Sequence, residues 1–324
     1  MNATQERRAS TLRVLHGLTR EHLPTLKRTT MKISLLMTAV LLAVGVTSTA
    51  SAQTLKKIAD SGRMSVAYRE ASVPFSYVIG VNKAVGFSAD LTEAIIEDVR
   101  KAVKNPKLEI TYTAVTSQNR IPLLQNGTID LECGSTTNNS TRGRDVQFAI
   151  NHFYTGTRLL TPVNSGVKDW ADLAKKTIST TSGTTNATVV RKLSAERNID
   201  MQVLMGKDHD DSLLLVEGGR AVAFAMDDIL LFGLRANSKN PASLHVVGES
   251  IQVEPYACML RKDDPEFKAL VDGTITRLMK SGEFTKLYTK WFMSPIVPKG
   301  INLNLPMSQQ LKDNIKALSD KPAI

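Results

Sequence analysis

Strand-like and helix-like segments alternate along most of this 324-residue chain, and that alternation restricts the fold more than any other feature. A strand pattern at residues 64–68 is followed by a helical pattern at about 89–103 and a second strand pattern at 108–113. A strand–helix–strand unit around residues 117–134 completes this set. A second set runs through 177–181, a helix at about 186–196, 201–205 and 221–226. Such order predicts α/β layers with mostly parallel strands. Once the leader described below is set aside, about 270 residues remain, more than one core usually serves, so two domains are expected. No tandem repeat of sequence is evident.

The stretch 116–144, TSQNRIPLLQNGTIDLECGSTTNNSTRGR, crowds three arginines and many small hydroxyls around one such unit. Ser117 suits an N-cap, Pro122 falls in the first turn and Gly127 follows the last helical position. A short helix is therefore expected from Gln118 or Asn119. Its N-terminus, with Ser117 and Arg120 beside it, would favour a carboxylate or phosphate. Residues 128–134 then alternate apolar and polar and read as a strand. It ends in the hydroxyls of Ser135, Thr136 and Thr137, where ligands sit in open α/β sheets. A surface turn with scattered arginines explains the spacing equally well.

Export signals bear on the compartment. Met31 and Lys32 precede an apolar run at 33–46, and Ala50, Ser51 and Ala52 supply small residues before an expected cut at Gln53. The run is shorter than the roughly 20 residues a bilayer span needs, and no cysteine for lipid attachment follows the cut. Residues 1–52 thus read as a leader, with Met31 as the expected start. The six basic residues before Met31 keep a mitochondrial-type presequence open as the other reading. The leader holds seven Lys/Arg against two Asp/Glu, so five of the ten net positive charges belong to it. The rest of the chain is only mildly basic, without the basic stripe and interleaved aromatics of nucleic-acid binders.

Several strings carry a resemblance. REASVPFSY at 69–77, SQNRIPLLQNGTIDLECGSTTNN at 117–139, SGTTN at 182–186, KDHDDS at 207–212, GRAVAFAMDD at 219–228, YACMLRKDDPEF at 256–267 and KWFMSPIVPKGINLN at 290–304 occur in that order. From residue 54 onward the chain resembles the glutamate/aspartate-binding proteins of bacterial ABC importers, within solute-binding protein family 3. That resemblance implies a type II periplasmic-binding-protein fold. Its two lobes are each a mostly parallel sheet flanked by helices, joined by a two-strand hinge. The chain would cross between lobes near 155–158 and 252–256, giving lobe one as 53–156 plus 253–324 and lobe two as 157–252. It also implies a soluble periplasmic monomer that needs no cofactor or metal. L-glutamate or L-aspartate would be captured by hinge closure and delivered to a membrane permease driven by separate ATPase subunits. No P-loop occurs in this chain.

The resemblance also supplies a ligand set. Arg142 matches the arginine that forks onto an α-carboxylate, with Arg144 as a substitute because STRGR departs from the usual acid before that arginine. Asp227 matches the ammonium acceptor, and Asp228 beside it reads as a helix cap. Arg69, Arg120 and His209 match contacts to a distal carboxylate; Ser117, Ser135, Thr137 and Thr185 match hydroxyl contacts. Each has a plainer reading. His209 could cap a surface helix, Arg69 could pair with Glu70 or another acid, and Asp227–Asp228 could be a simple strand-to-helix turn. Cys133 and Cys258, both in lobe one by the crossings above, are either a disulfide or two buried thiols.

Two other classes share the fold: an enzyme resembling cyclohexadienyl dehydratase, for which Glu132 is the candidate acid/base, and a sensor module. No nucleophilic triad, metal cluster or phosphate loop appears in the sequence.

Overall fold

The computed structural model describes residues 53–80 and 84–323; the leader and start-site readings lie outside them. The described part begins with α1 (Thr54–Ser61), β1 (Arg63–Tyr68), α2 (Phe87–Ala102), β2 (Glu109–Ala114), α3 (Arg120–Gln125) and β3 (Leu131–Glu132). Then come β4 (Val146–Phe148), β5 (Phe153–Pro162), β6 (Thr177–Thr181), α4 (Thr185–Glu196), β7 (Gln202–Gly206), α5 (His209–Glu217), β8 (Ala223–Asp227) and α6 (Asp228–Asn237). The last elements are β9 (Leu244–Tyr256), β10 (Met259–Arg261), α7 (Pro265–Ser281), α8 (Glu283–Phe292) and α9 (Gln309–Ala317).

Two five-stranded sheets organise these elements. The first has the order β2-β1-β3-β10-β4 and the second β7-β6-β8-β5-β9. In each, three successive strands joined through helices pair in parallel with the earliest in the middle, and the fourth position is filled by an antiparallel strand. The sheets thus repeat one topology without repeating a sequence. The architecture is the mixed α/β arrangement with mostly parallel strands expected from the alternation, in two sheets.

Local sequence explains most boundaries. α7 starts at Pro265 behind Asp264, whose carboxylate accepts from the Phe267 amide, and stops at Gly282 with φ of 81°. α2 buries Leu91, Ile95, Ile96 and Val99 on one face. Differences from expectation are local. α3 begins at Arg120 rather than 118 or 119, and Ser117 does not cap it; Thr116 and Asn119 instead exchange backbone–side-chain bonds. The strand expected over 128–134 shrinks to Leu131–Glu132, because Asp130 turns inward as a buried acceptor for the Ser65 amide, Lys57 and Arg261.

The first sheet is covered on one face by Ala67, Val115, Leu124, Ile129 and Met259. The other face joins an aromatic cluster in which Phe75, Phe87, Phe153 and Phe292 meet edge-on or stacked at centroid distances of 4.9–6.2 Å. Trp170, Leu159, Ile178, Val190 and Ala225 form a separate core beside the second sheet. Cys133 and Cys258 are joined by a disulfide across a sequence separation of 125.

β5 and β9 form a long antiparallel ladder from Leu244 opposite Pro162 to Tyr256 opposite Phe153. Its far end leaves the second sheet and reaches the loop after β3, where Thr137 bridges Tyr256 and the Ala257 amide donates to the Thr136 carbonyl at 3.0 Å. Chain passes between the sheets along this ladder.

Candidate functional site

Six parallel strands end at the seam between the sheets, and each end delivers a candidate residue. β1 runs into Arg69, β2 into Ser117 and Arg120, and β3 into Ser135 and Thr137. In the second sheet β6 leads to Thr185, β7 to His209 and β8 to Asp227. α4, α5 and α6 start at or just after those last three residues, so their free amides and positive dipole ends point to the same place.

There a narrow cavity is lined by Ser117, Arg120, Ser135, Thr137, Arg142, Thr184, Thr185, Asn186, His209, Met226, Asp227 and Leu230. Eight of the nine candidates line it, and Arg69 stands behind His209, with its Nη2 3.3 Å from the His209 Nε2. An open recess of about 500 Å³ shares Thr137, Arg142, Thr184 and Thr185 with it, so that wall lies nearest solvent.

The arginines are buried in different ways. Arg69 is 0% exposed, and its Nη2 pairs with Asp208 at 2.5 Å rather than with Glu70. Its Nε and Nη1 have no hydrogen-bond partner. Burial alone would raise Asp208; the Arg69 charge, His209 and the hydrogen bonds from the His209 amide and Arg69 together outweigh it and hold the carboxyl below its ordinary range. Arg120, 2% exposed, donates from Nη1 to Thr136 Oγ1 at 2.5 Å, and its Nε also lacks a partner. Burial pushes Arg120 down to about 9; Glu132 opposes that shift, while the charges of Arg142 and Arg69 add to it. Arg142 donates from Nη1 to the Thr137 carbonyl (3.0 Å) and from Nη2 to the Gly183 carbonyl (3.1 Å), tying the two sides of the seam. Arg144 is exposed and does not line the cavity.

His209 is not a surface cap. It is 1% exposed, and Asp208 caps α5 in a reciprocal box with Asp211. Burial lowers the ring to about 3, with Arg69 and Arg120 adding to the shift and Asp208 opposing it. Neutral His209 must accept from Arg69 at Nε2, because a guanidinium has no lone pair to offer. Its Nδ1 proton then faces Thr181 Oγ1 at 3.0 Å.

Asp227 takes hydrogen bonds from Asn186 Nδ2 at 3.0 Å and from the Tyr256 hydroxyl. Burial raises its carboxyl to about 8, and the nearby charge of Glu254 adds to the rise. A cation placed against it would reverse that shift. Asp228 is not the helix cap; it is the first residue of α6 and accepts from Thr155 Oγ1 at 2.6 Å.

Glu132 does not line the cavity. It is 0% exposed behind Arg120, with its Oε1 3.9 Å from the guanidinium and its Oε2 accepting from Thr136. It serves as a counter-charge and is not positioned as an acid/base toward a bound molecule. Asp208, Asn186, Tyr256 and Glu254 are site residues that sequence reasoning missed. Asp208 had a signal, since Asp208 and Asp211 flank the helix start in a capping-box spacing. Among the described residues no cluster of His, Cys, Asp or Glu could hold a metal ion, and no helix is long and apolar enough to cross a membrane.

Comparison with known proteins places this architecture. Residues 64–294 match the model of bacterial extracellular solute-binding proteins, family 3. The chain is 46% identical over 295 residues to the glutamate/aspartate import solute-binding protein of Escherichia coli K12, covering 91% of this chain and 98% of that protein. It is 46% identical over 294 residues to the L-glutamate/L-aspartate-binding protein of Pseudomonas aeruginosa, covering 90% and 97%. Both relatives are named as binding proteins. Among solved structures, a mutant of the arginine-binding protein ArgBP from T. maritima superposes with a TM-score of 0.65 at 24% identity, covering 74% of this chain and 98% of that one, a likeness of fold. By sequence and by fold, this chain belongs to the bacterial extracellular solute-binding proteins of family 3.

Proposed function

We propose that this protein captures L-glutamate or L-aspartate in the cavity between its lobes and hands it to the permease of an ABC importer in the periplasm. The observation that carries the reading is the set of buried guanidinium N–H groups without partners, on Arg69 and Arg120, beside a cavity whose other side holds Asp227. Each buried unpaired donor costs about 1–3 kcal/mol. A dicarboxylate bearing one ammonium matches that pattern of donors and acceptor.

In this reading Arg142 holds the α-carboxylate, Asp227 the ammonium, and Arg120 and Arg69 the distal carboxylate, with Ser117, Ser135, Thr137 and Thr185 completing the contacts. Lobe one is 53–156 with 253–324, and lobe two is 157–252. Only the closed arrangement offers both sets, so ligand stabilises closure by its differential contacts. An amide side chain would turn its NH2 toward donors and leave buried groups unpaired. Glutamate and aspartate differ by one methylene, worth only about 1–3 kcal/mol. Two relatives named for glutamate/aspartate import and binding support the substrate class.

Isothermal titration calorimetry of the protein, stripped of bound amino acid by unfolding and refolding, tests the reading. Glutamate and aspartate should bind one-to-one, and glutamine and asparagine weakly. Binding of neither acid would discard the ligand and leave the fold.

A further inference from the structure

The hinge strand β9 carries a carboxylate that the ligand contacts above do not use. Glu254 is 0% exposed although Val253 before it is 47% exposed, an inversion of what their polarity would give. The β5–β9 ladder shifts register between Ile251 and Glu254, where Gln252 adopts φ of 47°. That irregularity turns Glu254 inward.

Its Oε2 lies 2.5 Å from Thr137 Oγ1 and 2.6 Å from Thr185 Oγ1, and its Oε1 accepts from Gln252 Nε2 at 2.5 Å. An ionised carboxylate can only accept, so both threonines donate to it. A hydroxyl has one proton. The two threonine oxygens, 3.4 Å apart, therefore have no proton left for each other or for the cavity they both line. What they present there is lone pairs.

We propose that Glu254 is a positioning residue of the ammonium subsite, drawing the hydroxyl protons of Thr137 and Thr185 away from the cavity so that both threonines accept from a ligand N–H. This rests on the amino-acid reading above. With Asp227 they bring three acceptors to one cavity, the number of N–H bonds a primary ammonium offers. A carboxylate oxygen in the same place would meet only acceptors. Because Thr137 follows β3 of the first sheet and Thr185 opens α4 beside the second, one carboxylate oxygen also sets the polarity of both sides at once when the lobes meet.

The test compares L-glutamate with glutarate, which keeps both carboxylates and has hydrogen in place of the ammonium. Calorimetry on the full protein reads L-glutamate directly, and glutarate is read by displacement of L-glutamate. Glu254→Gln loses the charge: with its NH2 toward the threonines both keep their protons, and with its oxygen there they donate to a weaker, neutral acceptor. It should weaken L-glutamate about tenfold or more, as for loss of a charge-assisted bond, and leave glutarate unchanged or improved. Equal weakening of both would mark a residue that only holds the hinge and would overturn the proposal, as would unchanged L-glutamate affinity. Should Glu254→Gln fail to fold, Thr185→Ala and Thr185→Ser carry the test: the serine should keep the selectivity for L-glutamate over glutarate and the alanine should lose part of it. Equal affinities in the two would also overturn the proposal. Wild-type protein that binds no acidic amino acid would overturn the ligand reading and this proposal with it; wild-type binding with an insensitive Glu254→Gln would overturn this proposal alone.

Discussion

The two walls of the cavity are built on one topology and carry opposite chemistry, cationic donors on one side and a carboxyl acceptor on the other. The first-sheet side contributes Arg120 and Arg142, with Arg69 behind; the second-sheet side contributes neutral His209 and the carboxylate of Asp227. Each wall alone leaves buried charge poorly matched: guanidinium N–H groups lack partners on one side, and burial drives the carboxyl upward on the other. A zwitterion laid between them offers each wall its missing partner. Equivalent scaffolds thus become complementary through the residues that follow their strands, and in the proposed reading the affinity would be shared between both sides.

The most damaging way to test that division is to remove one charge from each wall. Arg142→Gln and Asp227→Asn should each weaken every amino acid by about a hundredfold to a few thousandfold, since removing one partner of a buried ion pair costs about 3–5 kcal/mol. Equilibrium binding of radiolabelled glutamate and glutamine would show it. Loss confined to the acidic ligand would reassign Arg142 to the side chain.

Arg120→Gln sharpens the comparison within the cationic wall. It should weaken glutamate by about tenfold to a hundredfold, the value of one or two charge-assisted bonds, and leave glutamine nearly untouched. Equal loss for both in calorimetry would place Arg120 on the α-carboxylate. The folded fraction should be checked alongside, because Glu132 lies 3.9 Å from Arg120 and would be left buried without its cation.

Acid tests the other wall. Asp227 is raised from 3.8 to about 8 in the folded protein, so its contribution to stability is full below the unfolded value of about 4 and is lost as pH rises toward 8. An ammonium against the carboxylate favours the ionised form, so binding must release that proton. Affinity for glutamate should therefore fall as pH drops from 8 to 6, by up to about tenfold per unit, and the ligand's increase in Tm should shrink in parallel. An incoming carboxylate would raise His209 toward the same window, so the titration is repeated in His209→Asn. Affinity independent of pH in that variant would remove Asp227 from the ammonium subsite.

The strand ends were the legible part of this site. Ser135 and Thr137 follow β3, His209 follows β7 and Asp227 ends β8, all positions that an alternating α/β pattern marks in the sequence by itself. Partners were not legible in the same way. Arg69 meets Asp208 139 residues later, and Thr137 meets Glu254 117 residues later, so neither pair leaves a local pattern. Glu254 was further hidden because a register shift buries it beside an exposed valine, against the expectation from polarity. Boundaries failed where a side chain competed with the backbone ladder, as Asp130 does at the start of β3.

The smallest expected effect comes from the seam itself. Gly233 sits within α6 of the second-sheet lobe, and a Cβ there would lie 2.3 Å from the Val73 carbonyl oxygen of the other lobe. Inside the helix, alanine is favoured over glycine by about 1 kcal/mol. Gly233→Ala should therefore leave thermal stability in the absence of amino acid unchanged or slightly higher, while the clash opposes closure. Affinity should fall by about tenfold or less for every ligand, with the glutamate-to-glutamine ratio preserved, because no polar contact is lost and only the common closing step costs more. Stopped-flow measurement would assign the loss mainly to faster dissociation. A changed selectivity ratio would mean that the seam shapes the cavity as well as closing it, and an unchanged affinity would mean that the bound state does not bring Gly233 against Val73.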